Sequence, residues 1–227
     1  MIRIYYALLF SLIYSGSGAQ SANPFMKDAH GRPLYLRTTY VAEGSPYFYD
    51  DYCFAEITLT NGKVYPDVKV KIDLANKSIL YMTESGVEMI ASTPIRQVKL
   101  MSFISDETDY GEAILRGFNS PLNAADGNIY QVLEDGKTKL LKEVIVTYSD
   151  TKKYGEANIT RVFTKKEIFF AVFENKKELR KVDKNKSSLI SMFETKQTEI
   201  RNYIENQKLK CKSEQDLIKV FNYYNSI

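Results

Sequence analysis

Three stretches that alternate apolar and polar residues around a turn constrain the fold of this chain more than any other feature. In the first, the alternating segments 57–60 and 68–74 flank the dipeptide Asn61-Gly62. Alternation places apolar side chains on one face of a strand. Asn-Gly suits a type I′ turn, because both central residues of that turn need a positive φ. The pattern therefore predicts a β-hairpin with a type I′ turn at Asn61-Gly62.

Two further segments repeat this logic. Residues 129–146 (IYQVLEDGKTKLLKEVIV) place Asp135-Gly136 between two alternating runs, and residues 79–90 (ILYMTESGVEMI) centre on Gly86. Glycine and aspartate are typical turn residues between strands. These two segments are therefore predicted to form a second and a third hairpin, one each.

One further strand is predicted, and beyond it the apolar residues change from strand spacing to helical spacing. Glu167–Phe173 (EIFFAVF) is apolar on both faces, which favours a central strand. The β pattern covers residues 33–183, whereas residues 184–227 have helical spacing and a capping signal at Ser213–Asp216. The predicted fold class is α+β: a β-dominated antiparallel sheet or partly closed barrel, with a C-terminal pair of short helices packed on it.

The first residues have the organisation of a signal peptide. Arg3 precedes the apolar run Ile4–Tyr14, and small residues follow at Ser17–Ala19. Small side chains before the cut are what a signal peptidase accepts, so residues 1–19 are predicted to be removed and 20–32 to form a flexible N-terminal segment. The run is shorter than the roughly 20 residues of a membrane-spanning helix. We expect an exported protein, whether periplasmic, envelope-associated or secreted; a retained membrane anchor is the alternative.

The charge balance argues against nucleic acid as a partner. The chain has 31 basic and 28 acidic residues, and loss of Arg3 with the leader brings it closer to neutrality. Such a balance gives no general attraction to polyanions. The basic cluster Asn175–Lys186 is interpreted as a solvated hairpin leading into a helix, with contact to anionic lipid or polysaccharide as the alternative. After the leader, no segment is long and apolar enough to cross a membrane.

Two cysteines and one histidine limit the available chemistry. In an oxidising compartment Cys53 and Cys211 invite a disulfide, which would stabilise the fold by up to about 5 kcal/mol. Alternatively, both are free residues of the core. His30 is the sole imidazole and lies near the predicted new terminus, which disfavours a catalytic triad and excludes multi-histidine zinc sites. No phosphate-binding glycine motif and no GxSxG motif occurs. The sequence therefore predicts no catalytic residue, no metal and no cofactor.

The segment Gly44–Phe54 (GSPYFYDDYCF) is the strongest candidate for a binding surface. If it is extended, Tyr47, Tyr49 and Asp51 share one face while Asp50 points to the other. The two carboxylates then diverge and do not flank one glycosidic bond. The candidate ligand- or partner-binding residues, an aromatic platform with an acidic edge, are Tyr47, Tyr49, Asp51 and Tyr52. The alternative is a strand that enters the sheet, with packed rings and solvated acids.

Four segments resemble a family of uncharacterised exported bacterial proteins. They are residues 43–74, 130–143 (YQVLEDGKTKLLKE), 166–193 and 212–227 (KSEQDLIKVFNYYNSI). In that family a β-rich body ends in a lysine-rich hairpin, short helices and a closing Tyr-Tyr-Asn-Ser. The resemblance covers nearly all of the mature chain and implies export and a shared fold. It implies no activity and no catalytic residue, and the two cysteines lie outside its pattern.

These observations favour a non-catalytic envelope or secreted protein that binds a protein or another envelope component. Two alternatives are a carboxylate- or tyrosine-based hydrolase of envelope or extracellular glycan, and a carrier of an apolar ligand. A hydrolase needs buried carboxylates that converge in a cleft. A carrier needs an apolar cavity of several hundred Å³. A binding protein needs a filled core and a ring-rich surface patch.

Overall fold

The computed structural model describes residues 40–105, 108–124, 127–152, 158–174 and 176–227. The predicted signal peptide, the segment 20–32 and His30 lie outside these ranges. The described residues contain thirteen strands and three helices. The strands are β1 (Tyr40–Glu43), β2 (Cys53–Leu59), β3 (Val64–Asp73), β4 (Ser78–Met82), β5 (Glu88–Ile90), β6 (Ile95–Leu100), β7 (Phe103–Ser105), β8 (Thr108–Tyr110), β9 (Ala113–Arg116), β10 (Tyr130–Asp135), β11 (Lys139–Thr151), β12 (Ile159–Phe173) and β13 (Lys176–Val182). The helices are α1 (Lys186–Met192), α2 (Gln197–Asn206) and α3 (Glu214–Ser226).

One large mixed sheet dominates the structure. Its order is β5-β4-β3-β2-β6-β9-β10-β11-β12-β1, and β13 also pairs with β12. All of its pairings are antiparallel except that of β1 with β12, which is parallel. β7 and β8 form a separate two-stranded sheet. The predicted α+β, β-dominated class is confirmed, with an open sheet rather than a closed barrel and with three C-terminal helices where a pair was expected.

The predicted hairpin at Asn61-Gly62 is present, but its turn is of another type. The Leu59 N–H donates to the Lys63 carbonyl (2.9 Å), and the Gly62 N–H donates to the Leu59 carbonyl (3.0 Å). Gly62 has φ +86°, whereas Asn61 is not among the residues with positive φ. This combination is a type I turn followed by a left-handed glycine, not a type I′ turn. The loop has one residue more than the two-residue loop of a type I′ hairpin, and the left-handed conformation of Gly62 accommodates it.

The other two predicted hairpins are also confirmed. The turn between β4 and β5 repeats the first one, because the Thr83 N–H donates to the Val87 carbonyl (2.9 Å) and Gly86 has φ +78°. Asp135-Gly136 lies at the turn between β10 and β11. The same local geometry therefore closes two of the three hairpins.

Apolar side chains form two separate cores. The first lies on strands β2 to β6 and β9, and includes Ile57, Val70 and Leu115. The second joins β11, β12 and β13 to all three helices, and includes Phe169, Phe193 and Phe221. The helical stripes are thus buried against the β12 region of the sheet.

The β11–β12 hairpin connects the two cores along a single face. Leu140 and Phe169, at one end of the hairpin, belong to the second core. Val144 and Val146, further along β11, pack against the first core. Tyr148 follows on the same face, beyond both cores, and is exposed. β11 therefore contributes to both cores and β12 to the second, and both strands continue past them.

A polar group of residues separates the two cores on this face. The Lys142 ammonium lies 2.8 Å from a Glu214 carboxylate oxygen and 3.7 Å from one of Glu167. Gln131, the cross-strand partner of Lys142, has a buried Oε1 with no hydrogen-bond partner among the described residues. Only 12% of the Lys142 side chain is exposed, so the ion pair is largely screened from water.

The basic cluster forms the edge strand β13 and the lead into α1. The Arg180 guanidinium lies 3.5 Å from a Glu194 oxygen and over the ring of Phe173. Lys184 lies over the Phe169 ring, 4.3 Å from its centroid. Charged side chains on an edge strand oppose pairing with another chain. Within the described ranges, no helix combines the length and the apolar character that a bilayer crossing requires.

Candidate functional site

The predicted binding residues lie in residues 44–52, which we call the strap. The strap links β1 to β2 and is not a strand; Tyr47 makes one isolated bridge, to Asp73. Its backbone is attached to β3, where the Phe48 N–H donates to the Ile72 carbonyl (2.9 Å). The face alternation considered for an extended segment does not apply to residues 47–52, because they do not form a strand.

Tyr47 and Tyr52 meet around one lysine. The Lys71 ammonium lies 4.2 Å from the Tyr47 ring centroid and 5.6 Å from that of Tyr52. The Tyr52 hydroxyl donates to a Glu88 carboxylate oxygen. Burial raises the pKa of Tyr47 and, together with the hydrogen bond to Glu88, that of Tyr52. Both phenols therefore stay protonated at neutral pH, which disfavours either as a nucleophile.

Tyr49 and Asp51 contact a different part of the molecule. The Tyr49 hydroxyl donates to the Gly111 carbonyl (2.7 Å), and its ring lies 4.9 Å from that of Tyr110. Asp51 accepts a hydrogen bond from the Ser105 hydroxyl. These contacts attach the small β7–β8 hairpin to the strap. The four predicted residues thus divide into two groups that hold the strap in place, and the structure does not gather them into one site.

The two cysteines lie in different cores. Cys53 belongs to the first core and Cys211 to the second, and both are free and buried. The structure therefore contains no bond between them, and the disulfide interpretation is replaced by that of two core thiols. Burial raises the pKa of Cys53 to about 11 and also raises that of Cys211. At neutral pH both thiols are protonated, and the thiol form is a poor nucleophile.

The hydrolase alternative needs two buried carboxylates, and the described part of the chain buries one. Asp73 is the single buried carboxylate there, at 4% exposure. It already accepts hydrogen bonds from the backbone N–H (2.9 Å) and the side-chain amide (2.8 Å) of Asn76. The same residue ranges contain no group of three or more His, Cys, Asp or Glu side chains placed to hold a metal ion.

A surface that was not predicted lies where the β11–β12 hairpin extends beyond both cores. We call it the aromatic tip, and it consists of Tyr40, Tyr148, Arg161 and Phe163. The Arg161 guanidinium carbon lies 4.2 Å from the Tyr40 ring centroid and 4.0 Å from that of Tyr148, so the cation is sandwiched between the two rings. The Arg161 Nε and Nη2 each donate to a different Asp150 oxygen at 2.7 Å.

The aromatic tip is partly exposed and electrically balanced. Tyr148 is 56% exposed, and the neighbouring Ile159 is 41% exposed. The hydrogen bonds between Arg161 and Asp150 lower the pKa of the carboxyl and raise that of the guanidinium. Both groups remain charged and paired over the whole neutral range. The pair of Arg161 and Asp150 therefore adds no net charge to the aromatic tip.

The pairing of β12 with β11 and with β1 brings the residues of the aromatic tip together. Tyr148 faces Phe163, and Asp150 faces Arg161, across the long hairpin. Tyr40 joins them because β1 pairs with the same end of β12. The sequence does hold a signal for Tyr148, since continuing the alternation of residues 139–146 places it on the same face as Val144 and Val146.

Comparison of the chain with protein-family models, with curated proteins and with solved structures found no match in any of the three. The function is therefore inferred from the residues and contacts described above.

Proposed function

We propose that the protein is an exported, non-catalytic binding protein and that its partner is a protein that contacts the aromatic tip. The observation that carries this proposal is the stack of Tyr40, Arg161 and Tyr148, in which Tyr148 is exposed and the other two are half-buried. Tyrosine and arginine dominate the residues that contribute most to protein–protein affinity. A surface that is ordered before binding loses less conformational entropy on binding.

The chemistry of the aromatic tip favours a protein over a glycan. Arg161 directs two donors at Asp150, which leaves fewer of them for the hydroxyl groups of a sugar. The adjacent exposed side chain, Ile159, is aliphatic. Rings and aliphatic groups, with phenol hydroxyls at their edges, match the apolar centre and polar rim of protein interfaces. Two filled cores beside a ring-rich patch also support a binding protein over a carrier.

The Tyr148→Ala variant tests this proposal. Tyr148 is 56% exposed and packs on Arg161, so its removal should weaken binding without unfolding the protein. We expect the dissociation constant to rise at least about ten-fold, the effect of losing about 1.4 kcal/mol. The tagged protein is used to capture proteins from its native envelope, and the affinity of the enriched protein is then measured with purified components.

Phe54→Ala is the matched control, because Phe54 is also 56% exposed but lies on β2, away from the aromatic tip. The control should bind like the unmodified protein. Equal affinity of the Tyr148→Ala variant, or a loss confined to the Phe54→Ala variant, would contradict a partner at the aromatic tip.

Export is supported by the leader and by the family resemblance, and it has its own test. The natively produced protein is expected to begin at Gln20, because the small residues at 17–19 fit a signal peptidase. N-terminal sequencing of the protein from fractionated cells measures this directly. A cytosolic protein that begins at Met1 would refute export and leave the binding test unaffected.

A further inference from the structure

A cavity lies at the end of the β11–β12 hairpin opposite the aromatic tip. Its volume is about 210 Å³, and four parts of the chain line it. They are the β10–β11 turn with Thr138, the end of β12 with Phe173, the α1–α2 loop with Thr195, and the end of α3 with Tyr224. A cavity built from four separate segments depends on the complete fold.

The wall beside α3 is fixed by one asparagine. The Asn225 side chain accepts from the Thr138 N–H (2.9 Å) and donates to the Thr138 carbonyl (2.9 Å) and to a Glu134 oxygen (3.2 Å). A Cβ on Gly136 would lie 2.1 Å from the Asn225 Nδ2, so only glycine leaves room for this arrangement. The cavity is therefore shaped before any ligand arrives, which favours binding.

Aromatic rings provide its apolar surface. The Phe173 and Tyr224 rings lie with their centroids 6.3 Å apart, edge to face. Tyr224 also packs on Phe193 (4.5 Å), which is fully buried in the second core. The second core thus holds the two rings in place, and they form a fixed apolar part of the cavity wall.

The charges around the cavity are close to balance. Lys137, Lys196 and Glu174 line it, and Lys196 lies 3.4 Å from the Glu199 carboxylate. Glu199 lies outside the lining but pairs with Lys196, and the remaining Lys137 is offset by Glu174. Such a lining favours a neutral ligand with several hydrogen-bonding groups over an anion or a cation.

We propose that this cavity binds a single neutral sugar ring. One face of a pyranose is apolar and fits against Phe173 and Tyr224, while its hydroxyls match the lysine, glutamate and threonine groups of the rim. A volume of about 210 Å³ lies below the roughly 300–1,000 Å³ of pockets for larger ligands, which suits a single ring. This site is independent of the aromatic tip and of the partner proposed there.

Saturation-transfer NMR with the full-length protein tests the proposal. Methyl glucoside, methyl galactoside and N-acetylglucosamine are the neutral probes, and glucuronate is the charged one. We expect saturation transfer to at least one neutral sugar, strongest at the protons of its apolar face. The absence of transfer to all three neutral sugars, or transfer to glucuronate alone, would overturn the proposal.

Two matched variants locate the site. Thr195 is exposed at the cavity, so Thr195→Trp should fill the opening and reduce the transfer signal at least about five-fold. Thr198 is also exposed, but lies on α2 and does not line the cavity, so Thr198→Trp should leave the signal unchanged. An undiminished signal in Thr195→Trp would place the sugar elsewhere and overturn the assignment. Circular dichroism of both variants verifies that they are folded.

Discussion

Replacing Phe193 by alanine is expected to lower the free energy of unfolding by about 3–5 kcal/mol. Phe193 is fully buried, and its ring contacts those of Phe221 (5.3 Å), Tyr224 (4.5 Å) and Phe173 (6.0 Å). Truncation removes the buried area and leaves a cavity that three other rings do not readily fill. Urea unfolding followed by circular dichroism gives the difference from the midpoint and slope.

Phe54→Ala again serves as the control, because its exposed ring should change stability by no more than about 0.5 kcal/mol. Hydrogen exchange adds a spatial test of the two cores. In Phe193→Ala the amides of α1, α2 and α3 should lose protection before those of β2 and β3, since only the former belong to the damaged core. A loss below about 1 kcal/mol would show that Phe193 is not packed as described.

The second large effect is expected for Gly117→Ala, with a loss of about 3 kcal/mol, at the upper end of ordinary single substitutions. A Cβ at this position would lie 2.0 Å from the Ser120 carbonyl oxygen and 3.1 Å from the Pro121 carbonyl carbon. Both are backbone atoms, so the loop after β9 has to move. That loop carries the fully buried Leu122, whose N–H donates to the Ile95 carbonyl (2.8 Å).

Gly111→Ala is the matched control for this substitution. Nothing lies within 4 Å of a Cβ at Gly111, and its φ is not positive. Thermal unfolding of the two variants should separate them clearly, with Gly111→Ala close to the unmodified protein. Equal melting temperatures would contradict the close approach at Gly117.

The features predicted correctly from the sequence are those that depend on local patterns. Alternation and turn residues located the three hairpins, because both signals lie within a few positions of each turn. The turn type at Asn61 was predicted incorrectly. The turn type depends on the hydrogen bond from the Leu59 N–H to the Lys63 carbonyl, which sets the number of loop residues. The Asn-Gly dipeptide alone does not determine that number.

The number of helices depended on the core rather than on the helical period. α1 and α2 are separate because the chain turns between them, where the Lys196 N–H donates to the Phe193 carbonyl (3.1 Å). Phe193 enters the second core at this turn. Phe193 is buried there by the rings of Phe173 on β12 and of Phe221 on α3, which are distant in sequence.

The sites were the least predictable part of the molecule. Adjacent rings in the strap suggested a platform, but the Phe48 and Tyr49 rings lie against each other (4.7 Å) instead of alternating. The aromatic tip requires Tyr40 to lie beside β12, more than one hundred residues later in the chain. A single sequence contains no local signal for such a long-range pairing.

The sharing of β11 by both cores has an evolutionary consequence. If a duplication or recombination event copied only one half of the chain, the copy would contain a core with one side exposed to water. Neither half is therefore a transferable module, and homologous proteins should gain or lose the two together.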